Sequence, residues 1–260
     1  MQKEEIAGNH DTALLKIIAA VCMFIDHADV RLLHNQLELR VIGRIAFPLY
    51  IWCLVVGACY TRNAKKYALR LLLTGLISQP FFMLGLNHDW KTLNIFCTLL
   101  TGYLGILGIR EKRYGSQYWG PLLALAFACV VKMDYGWRGV LLIMLMYLAR
   151  RDRAALAALM VAFCLYWGAD SAALKSVYGF HLQGGLFDVE PVKAFLKVQA
   201  LAILALPLIL WPRKERLSFL PRWVGYAIYP AHLAILWAIE LHMGITTLQR
   251  GLSLLIPGRF

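Results

Sequence analysis

Nine apolar runs, separated by short polar linkers, constrain this chain more than any other feature of its sequence. A helix needs roughly 20 apolar residues to cross a bilayer, and shorter spans occur where helices pack inside a bundle or border a polar cavity. The pattern predicts an all-α, polytopic transmembrane helix bundle of about nine spans, with residues 1–260 forming one integral membrane domain. The runs cover residues 13–33, 41–60, 67–86, 92–110, 119–133, 137–150, 153–169, 196–211 and 222–243.

The low content of charged residues excludes an ordinary soluble protein. Charged residues make up 16% of the chain and hydrophobic residues 60%, whereas about a quarter of the residues in a soluble domain are charged. The net charge of +12 would suggest a nucleic-acid partner in a soluble protein. Here the basic residues form blocks between apolar runs, where they act as topology signals, and no nucleic-acid-binding motif is present. The lipid bilayer is therefore the predicted environment.

The distribution of Lys and Arg among the linkers predicts the orientation. Four short linkers are strongly basic, and they alternate with linkers that are poorer in Lys and Arg. The positive-inside rule places the basic linkers and the N-terminus in the cytoplasm, with the first span retained rather than cleaved as a signal peptide. The long linker 170–195 then lies outside, either as an ordered loop or as a re-entrant hairpin. The basic linkers read TRNAKK, REKR, RRDR and PRKER.

Ionisable side chains inside the apolar runs are the candidate functional residues, because a charge in a membrane is costly and tends to face a wet cavity or an opposite charge. In the first run, Lys16 and His27 lie eleven positions apart. Helical geometry puts them on one face with an axial separation of about 16 Å. His27 is a candidate base, and Asp26 is a candidate to orient an imidazole or stabilise its charge. The alternative is that Lys16 extends to lipid phosphates and His27 is merely interfacial.

Arg44 is a permanent charge just inside the second run and needs a partner. Asp26, Asp134 in a tight outer turn, or a substrate anion are the candidates. By the predicted topology Arg44 and His27 lie at the same outer end of neighbouring helices. This coincidence favours a site over an interfacial role for either residue.

Two basic side chains lie at the predicted cytoplasmic end of the third run. Arg62 precedes the run and Arg70 falls inside it, where a charge is costlier. A phosphorylated cofactor would suit this cluster. Lys65 and Lys66 are explained by the positive-inside signal alone.

Polar residues in two later runs leave two interpretations open. Asn94 and Thr98 are four positions apart on one helical face, which suits either a site or hydrogen bonds between helices. Tyr229 and His232 flank Pro230 in the last run, where the proline loosens the helix. Both could belong to a site or make structural hydrogen bonds.

Six blocks of this sequence resemble successive blocks of the TraX family, in order from about residue 14 to residue 237. TraX proteins of conjugative plasmids N-acetylate the processed pilin subunit, and the family is related to the acyltransferase-three type of membrane acyltransferases. That group has a basic residue, ten intervening residues and a His on its first span, which is similar to Lys16 and His27, with Lys where Arg is usual. Its second-span Arg corresponds in kind to Arg44. The blocks are LKIIAAVCMFIDH, IGRIAFPLY, TRNAKKYALRLL, NIFCTLL, DYGWRGVLLI and YAIYPAHL.

The resemblance implies acyl transfer in a bacterial inner membrane. Acetyl-CoA or another acyl-CoA would be the cytoplasmic donor, and a pilin amine or an envelope glycan hydroxyl would be the acceptor. No metal site is expected. The candidate catalytic residues are His27, Asp26, Arg44, Asp134 and His232, and the candidate cofactor-binding residues are Lys16, Arg62, Arg70, Asn94 and Tyr229.

A membrane transporter or flippase is the alternative function, since intramembrane Asp, His and Arg also mark proton relays and substrate paths. The sequence shows no inverted repeat and no matched pair of broken helices, which argues against it. A third possibility is an assembly factor whose polar groups only hold helices together. Stabilisation by acetyl-CoA would favour an enzyme, and proton-coupled uptake into vesicles would favour a carrier.

Overall fold

Helices make up nearly the whole of the described chain. The computed structural model describes residues 6–33, 36–177, 180–182, 184–213 and 224–255. The α-helices are α1 (Thr12–Leu32), α2 (Leu37–Tyr60), α3 (Ala64–Leu86), α4 (Ile95–Glu111), α5 (Ser116–Val130), α6 (Gly136–Ala149), α7 (Arg153–Gly168), α8 (Glu190–Phe195), α9 (Leu206–Leu210), α10 (Val224–His242) and α11 (Leu248–Leu255). Short 3-10 helices cover Arg113–Gly115, Gly185–Asp188 and Ala200–Ala205.

Each apolar run of the sequence overlaps a helix, and local side chains explain where several helices begin. Asp11, Asn63, Asn94 and Asp152 are the N-caps of α1, α3, α4 and α7, and each side chain accepts a hydrogen bond from a backbone N–H of the first turn. These bonds satisfy amide groups that have no partner within the helix. The prediction of a helical chain is thereby confirmed.

The structure departs from an all-α chain in the long linker 170–195. A two-residue hairpin pairs β1 (Ser176–Val177) with β2 (Phe180–His181), and a 3-10 turn and α8 follow it. The run predicted at 196–211 also differs, because it begins as the 3-10 helix Ala200–Ala205 and continues into α9. The fold class is therefore nearly all-α rather than purely helical.

Three helices among the described residues are long and apolar enough to cross a membrane by themselves: α2, α3 and α10. Four others are shorter, since α4 has 17 residues, α5 has 15, α6 has 14 and α7 has 16. α1 has 21 residues but carries Lys16, Asp26, Asp29 and Arg31. The nine predicted spans are not confirmed by these criteria.

The contacts of the chain define two compact units. The first, here the pocket unit, takes its described residues from Leu54–Leu148 and Ser218–Phe260. The second, here the ion-pair unit, takes its described residues from Glu5–Cys53 and Ala149–Leu217. The interpretation of residues 1–260 as one domain stays a prediction.

The ion-pair unit is built around the first part of α2, where Phe47, Leu49 and Trp52 are fully or almost fully buried. The segment before α1 packs against the end of α9. Asn9 donates from its backbone N–H to Ile209 O (2.7 Å) and from Nδ2 to Leu208 O (3.0 Å), while Trp52 Nε1 donates to Asn9 O (2.8 Å). These bonds fix the N-terminal segment beside α2 and so set the start of α1.

The pocket unit packs α4 against α3 and α5, and α10 against α3. Outward leucines of α3 and α5 stay exposed, among them Leu76 (62%) and Leu122 (66%). Exposed apolar faces of this kind are unfavourable in water and suit contact with lipid. They agree with the assignment of α3 as a membrane-crossing helix.

Candidate functional site

The ion-pair unit contains a buried charge cluster that joins α1 to α2. The Asp26 carboxylate is 6% exposed. Arg44 Nη2 donates to Asp26 Oδ1 (3.1 Å) and Oδ2 (3.0 Å), and Arg40 Nη1 lies 3.0 Å from Oδ1. Asp26, one of the three candidate partners for Arg44, thus lies in direct contact with it. Two guanidinium groups thus share one carboxylate, which can neutralise only one of their charges.

Helical spacing and a glycine bring these groups together. Arg40 and Arg44 are one turn apart on α2, so both reach the same side of the helix. Gly43 lies between them, and a Cβ at this position would overlap the Asp26 side chain. A glycine is therefore needed for α1 to approach α2 here. The sequence reading passed over both Arg40 and Gly43.

A further bond ties the cluster to the chain that follows α7. Arg44 Nη1 donates to Gln199 Oε1 (3.0 Å), and the backbone N–H of Gln199 donates to Ser171 Oγ (3.2 Å). The guanidinium of Arg44 is therefore held in position from two sides. Gln199 carries no sequence signal that would have identified it, because it lies 155 residues from Arg44.

His27 and Lys16 lie on α1, which is one continuous helix from Thr12 to Leu32. The shared face predicted for them follows from this continuity, and both residues are partly buried. Asp29, which the sequence reading did not select, is fully buried, and its Oδ1 accepts a hydrogen bond from the backbone N–H of Gln36 (2.8 Å). Asp29 therefore shapes the connection between α1 and α2.

Asn94 and Asp134 belong to the pocket unit. Asn94 caps α4 and donates from Nδ2 to Gly75 O (2.7 Å) and Gln79 Oε1 (2.9 Å). The backbone of Asp134 accepts from Thr98 Oγ1 and donates to Leu93 O (2.9 Å). These are structural hydrogen bonds, one of the two interpretations that the sequence left open for Asn94 and Thr98.

Tyr229 and His232 are buried in α10, with 4% and 6% exposure. Their ring centroids are 5.3 Å apart, and the Tyr229 ring meets the edge of Phe96 at 5.3 Å. His232 Nδ1 lies 3.1 Å from Ile228 O, which makes it the donor nitrogen of that pair. The structure thus places Tyr229 and His232 together in the pocket unit, while Asp26, His27 and Arg44 belong to the ion-pair unit.

A polar pocket of about 410 Å³ lies at the N-terminal end of α3 and the C-terminal end of α4. Arg62 lines it, as expected of a phosphate-binding residue, together with Lys65 and Arg110, which the sequence reading had not selected for binding. Arg110 Nη1 donates to Ala58 O (2.7 Å), which holds the guanidinium near the end of α2. Arg70 does not line this pocket, and its guanidinium carbon lies 5.6 Å from the centre of the Tyr67 ring.

The donor set of this pocket fits a phosphate group. Three cations and the first turn of α3 supply charge-assisted donors and a favourable helix dipole, and they outnumber the one carboxylate of the lining, Glu111. Within the described ranges, no group of three or more His, Cys, Asp or Glu side chains that could hold a metal ion occurs.

A nearly all-helical chain with three helices able to cross a bilayer and a buried ion cluster defines a helical membrane protein. The family model described as TraX protein matches residues 11–240. The chain therefore belongs to the TraX family, as the six sequence blocks had indicated.

Two relatives extend this comparison. A protein of Dichelobacter nodosus named "Probable fimbrial assembly protein FimC, serogroup H1" is 29% identical over 248 residues, which cover 88% of this chain and 95% of that protein. An uncharacterized protein of Rickettsia prowazekii (strain Madrid E) is 26% identical over 148 residues, covering 55% of this chain and 57% of that protein. No solved structure is a significant match to the chain.

Replacing Asp26 by Asn is expected to destabilise the protein strongly. The change removes the charge that the two guanidinium groups share, and breaking a buried ion pair from one side costs about 3–5 kcal/mol. Glu190→Gln is the control, because it breaks the exposed pair with Lys193 (3.2 Å), which is worth at most about 1 kcal/mol. Thermal unfolding in detergent measures both variants. Equal melting temperatures for the two would show that the cluster is not a structural requirement.

Proposed function

We propose that this protein is a membrane acyltransferase that moves an acetyl group from acetyl-CoA to the N-terminal amine of a pilin subunit. Membership of the TraX family and similarity to a protein named for fimbrial assembly support a pilin-associated role. The observation that carries the catalytic part is the buried Asp26–Arg40–Arg44 cluster, adjacent in sequence to His27. An envelope glycan hydroxyl remains the second acceptor to test.

His27 acts as the general base in this proposal. Its imidazole takes a proton from the neutral acceptor amine as the nitrogen attacks the thioester carbonyl carbon, and returns a proton to the sulfur as the C–S bond breaks. The products are an amide and the free thiol, so atoms and protons balance. When bound, acetyl-CoA supplies the activated acetyl group.

The ion cluster supplies the electrostatic part of the proposal. Negative charge develops on the carbonyl oxygen during attack, and fixed cationic donors in a site shielded from water stabilise such charge strongly. Arg44 is held by Asp26 and Gln199, so it needs little reorganisation when this charge appears. Asp26 positions Arg44 and Arg40, and the charge that it does not neutralise favours an anion nearby.

Replacing His27 by Ala is expected to abolish acyl transfer while the protein still inserts and folds, because no other group is assigned to move the proton. The loss should be about 10²-fold or more, the usual contribution of a general base. His242→Ala is the matched control, since His242 is exposed at the end of α10. The measurement is acetylated pilin detected by mass spectrometry with purified protein in liposomes.

Wild-type transfer by the His27→Ala variant would remove His27 from the mechanism. Proton-coupled uptake into the same liposomes, without transfer by the wild-type protein, would instead support the transporter alternative.

The polar pocket of the pocket unit is the proposed site for the phosphates of acetyl-CoA. Arg62, Lys65 and Arg110 provide the cations, and Arg and Lys are the usual protein ligands of phosphate. Lys16, Arg70, Asn94 and Tyr229 stay predictions as donor-binding residues. Asp134 and His232 stay predictions as catalytic residues.

Arg62→Gln is expected to raise the KM for acetyl-CoA about tenfold and to leave kcat close to the wild-type value, because it removes binding rather than a group that moves a proton. Lys66→Gln is the control. Each variant loses one positive charge. Lys66 is exposed on the first turn of α3 but does not line the pocket, so its variant tests the loss of charge alone. A similar KM for both variants would contradict direct phosphate binding by Arg62.

We further propose that the chain crosses the bacterial inner membrane nine times, with the N-terminus in the cytoplasm. The overlap of each apolar run with a helix supports the count, and the alternation of basic linkers supports the orientation. Burial of short helices within a bundle explains how spans below 20 residues are accommodated.

Reporter fusions in the linkers before and after α4 test the nine-span topology. Alkaline phosphatase fused at His88 is expected to be active, and the fusion at Lys112 inactive, because α4 separates an outer linker from an inner one. If only α2, α3 and α10 crossed the membrane, both positions would lie on the same side. Equal activities at the two positions would therefore contradict nine spans, and fluorescent-protein fusions at the same sites give the inverse readout.

A further inference from the structure

An apolar groove of about 800 Å³ runs along α4 in the pocket unit and has no role in the proposed reaction. Side chains of α3, α4 and α5 line it, among them Leu72, Leu104, Leu123 and Phe127. These four residues are 44–60% exposed, so the groove is open along its side. Its volume is within the usual range for sites that bind one ligand molecule.

Two glycines make the groove possible where α4 and α5 cross. A Cβ at Gly120 would lie 3.0 Å from Gly108 Cα, so side chains at these positions would push the helices apart. Ser116 Oγ donates to Gly108 O (2.9 Å) beside the crossing. The bottom of the groove is therefore a fixed backbone contact.

The groove is somewhat longer than one leaflet of a bilayer is thick. Its lining on α4 extends from Cys97 to Glu111, a rise of about 21 Å at 1.5 Å per residue. The hydrocarbon core of a bilayer is about 30 Å thick, so one leaflet contributes about 15 Å. A single acyl chain entering at the Glu111 end would thus be accommodated over its whole depth.

The Glu111 end of the groove is polar and rigid. Lys112, Tyr114 and Gly115 have positive φ values of 53°, 50° and 74°, which makes a tight turn. Trp119 Nε1 donates to Tyr114 O (3.0 Å) and fixes this turn. Tyr114 is 91% exposed, and Tyr and Trp are enriched where helices leave the bilayer.

Cationic side chains lie at this same end, beside the acidic Glu111. Arg113 lines the groove, and its guanidinium carbon lies 5.9 Å from the centre of the Tyr114 ring. Glu111 lines both the groove and the polar pocket that contains Arg62, Lys65 and Arg110. An amphiphile with an apolar chain and an anionic head matches this distribution, because its chain would contact the apolar side chains of the groove and its head would contact Arg113.

We propose that the groove along α4 is a binding site for one anionic phospholipid, with an acyl chain along Leu104, Leu123 and Phe127 and the headgroup phosphate at Arg113. The lateral opening favours a lipid over a water-soluble ligand, since a lipid enters from the bilayer without crossing water. The lipid comes from the leaflet on the basic side, which is the predicted cytoplasmic leaflet, where anionic lipids attract Lys and Arg. Apart from Glu111, which also lines the polar pocket, the residues of this site differ from those assigned to acyl transfer.

Lipid retention during native mass spectrometry tests the head-group contact. Purified protein in detergent is given phosphatidylglycerol or phosphatidylcholine with the same acyl chains. The wild-type protein is expected to retain the anionic lipid about fivefold more, the effect of one cation near a lipid head group. Arg113→Gln should remove this preference, and Lys91→Gln should keep it, because Lys91 is an exposed cation over the Trp90 ring (5.9 Å) and does not line the groove.

A pair of neighbouring substitutions tests the groove itself. Leu123→Trp fills the groove and should lower retention of both lipids, whereas Leu122→Trp, at an equally exposed position that does not line the groove, should leave retention unchanged. Equal retention of the two lipids by the wild-type protein would overturn the proposal, as would equal effects of the two tryptophans. Acyl-transfer activity is not part of this readout, so its outcome is independent of the proposed function.

Discussion

The need to neutralise charge inside apolar helices governs the arrangement of α1 and α2. A carboxylate or guanidinium taken out of water costs several kcal/mol unless an opposite charge and good hydrogen bonds compensate. Asp26 meets this need by accepting from both Arg40 and Arg44, and Arg44 then reaches Gln199. Because the ion pairs require close approach, α2 carries Gly43 where the Asp26 side chain lies. In the ion-pair unit, the neutralisation of charge therefore depends on close packing of α1 against α2, and that packing depends on the glycine at position 43.

The pocket unit meets part of the same requirement with neutral groups, although Glu240 of α10 is also fully buried. Gln79 and Asn94 satisfy each other and the backbone of Gly75 and Thr92 within the helices. Such bonds hold the start of α4 against α3 without a buried charge. Other charged side chains of this unit line the polar pocket, at the end of α3 and α4 that is predicted to be cytoplasmic. The proposed donor and lipid sites both use this separation between an apolar body and a basic end.

Sequence patterns identified most of the helices because hydropathy and capping are local properties. The run 67–86 and α3 differ by three residues at their start, where Asn63 caps the helix before the apolar pattern begins. The linker 170–195 was less predictable, since a two-residue hairpin has almost no periodicity to detect. Only part of the candidate site could likewise be predicted from the sequence. Asp26 and Arg44 were recognisable because a charge in an apolar run is unusual, whereas Arg40 lies at the start of its helix and resembles an ordinary interfacial cation.

The sequence by itself determined that this is a helical membrane protein of the TraX family, where most of its longer helices lie, and that Asp26 and Arg44 must find partners. Each of these follows from residues close together in the chain. Only the tertiary structure decided that Arg44 pairs with Asp26, that Gly43 gives the carboxylate its space, and that Gly108 and Gly120 let α4 and α5 touch at the bottom of a groove. These features depend on distances between separate helices, and no linear spacing encodes which side chains face each other across a helix contact.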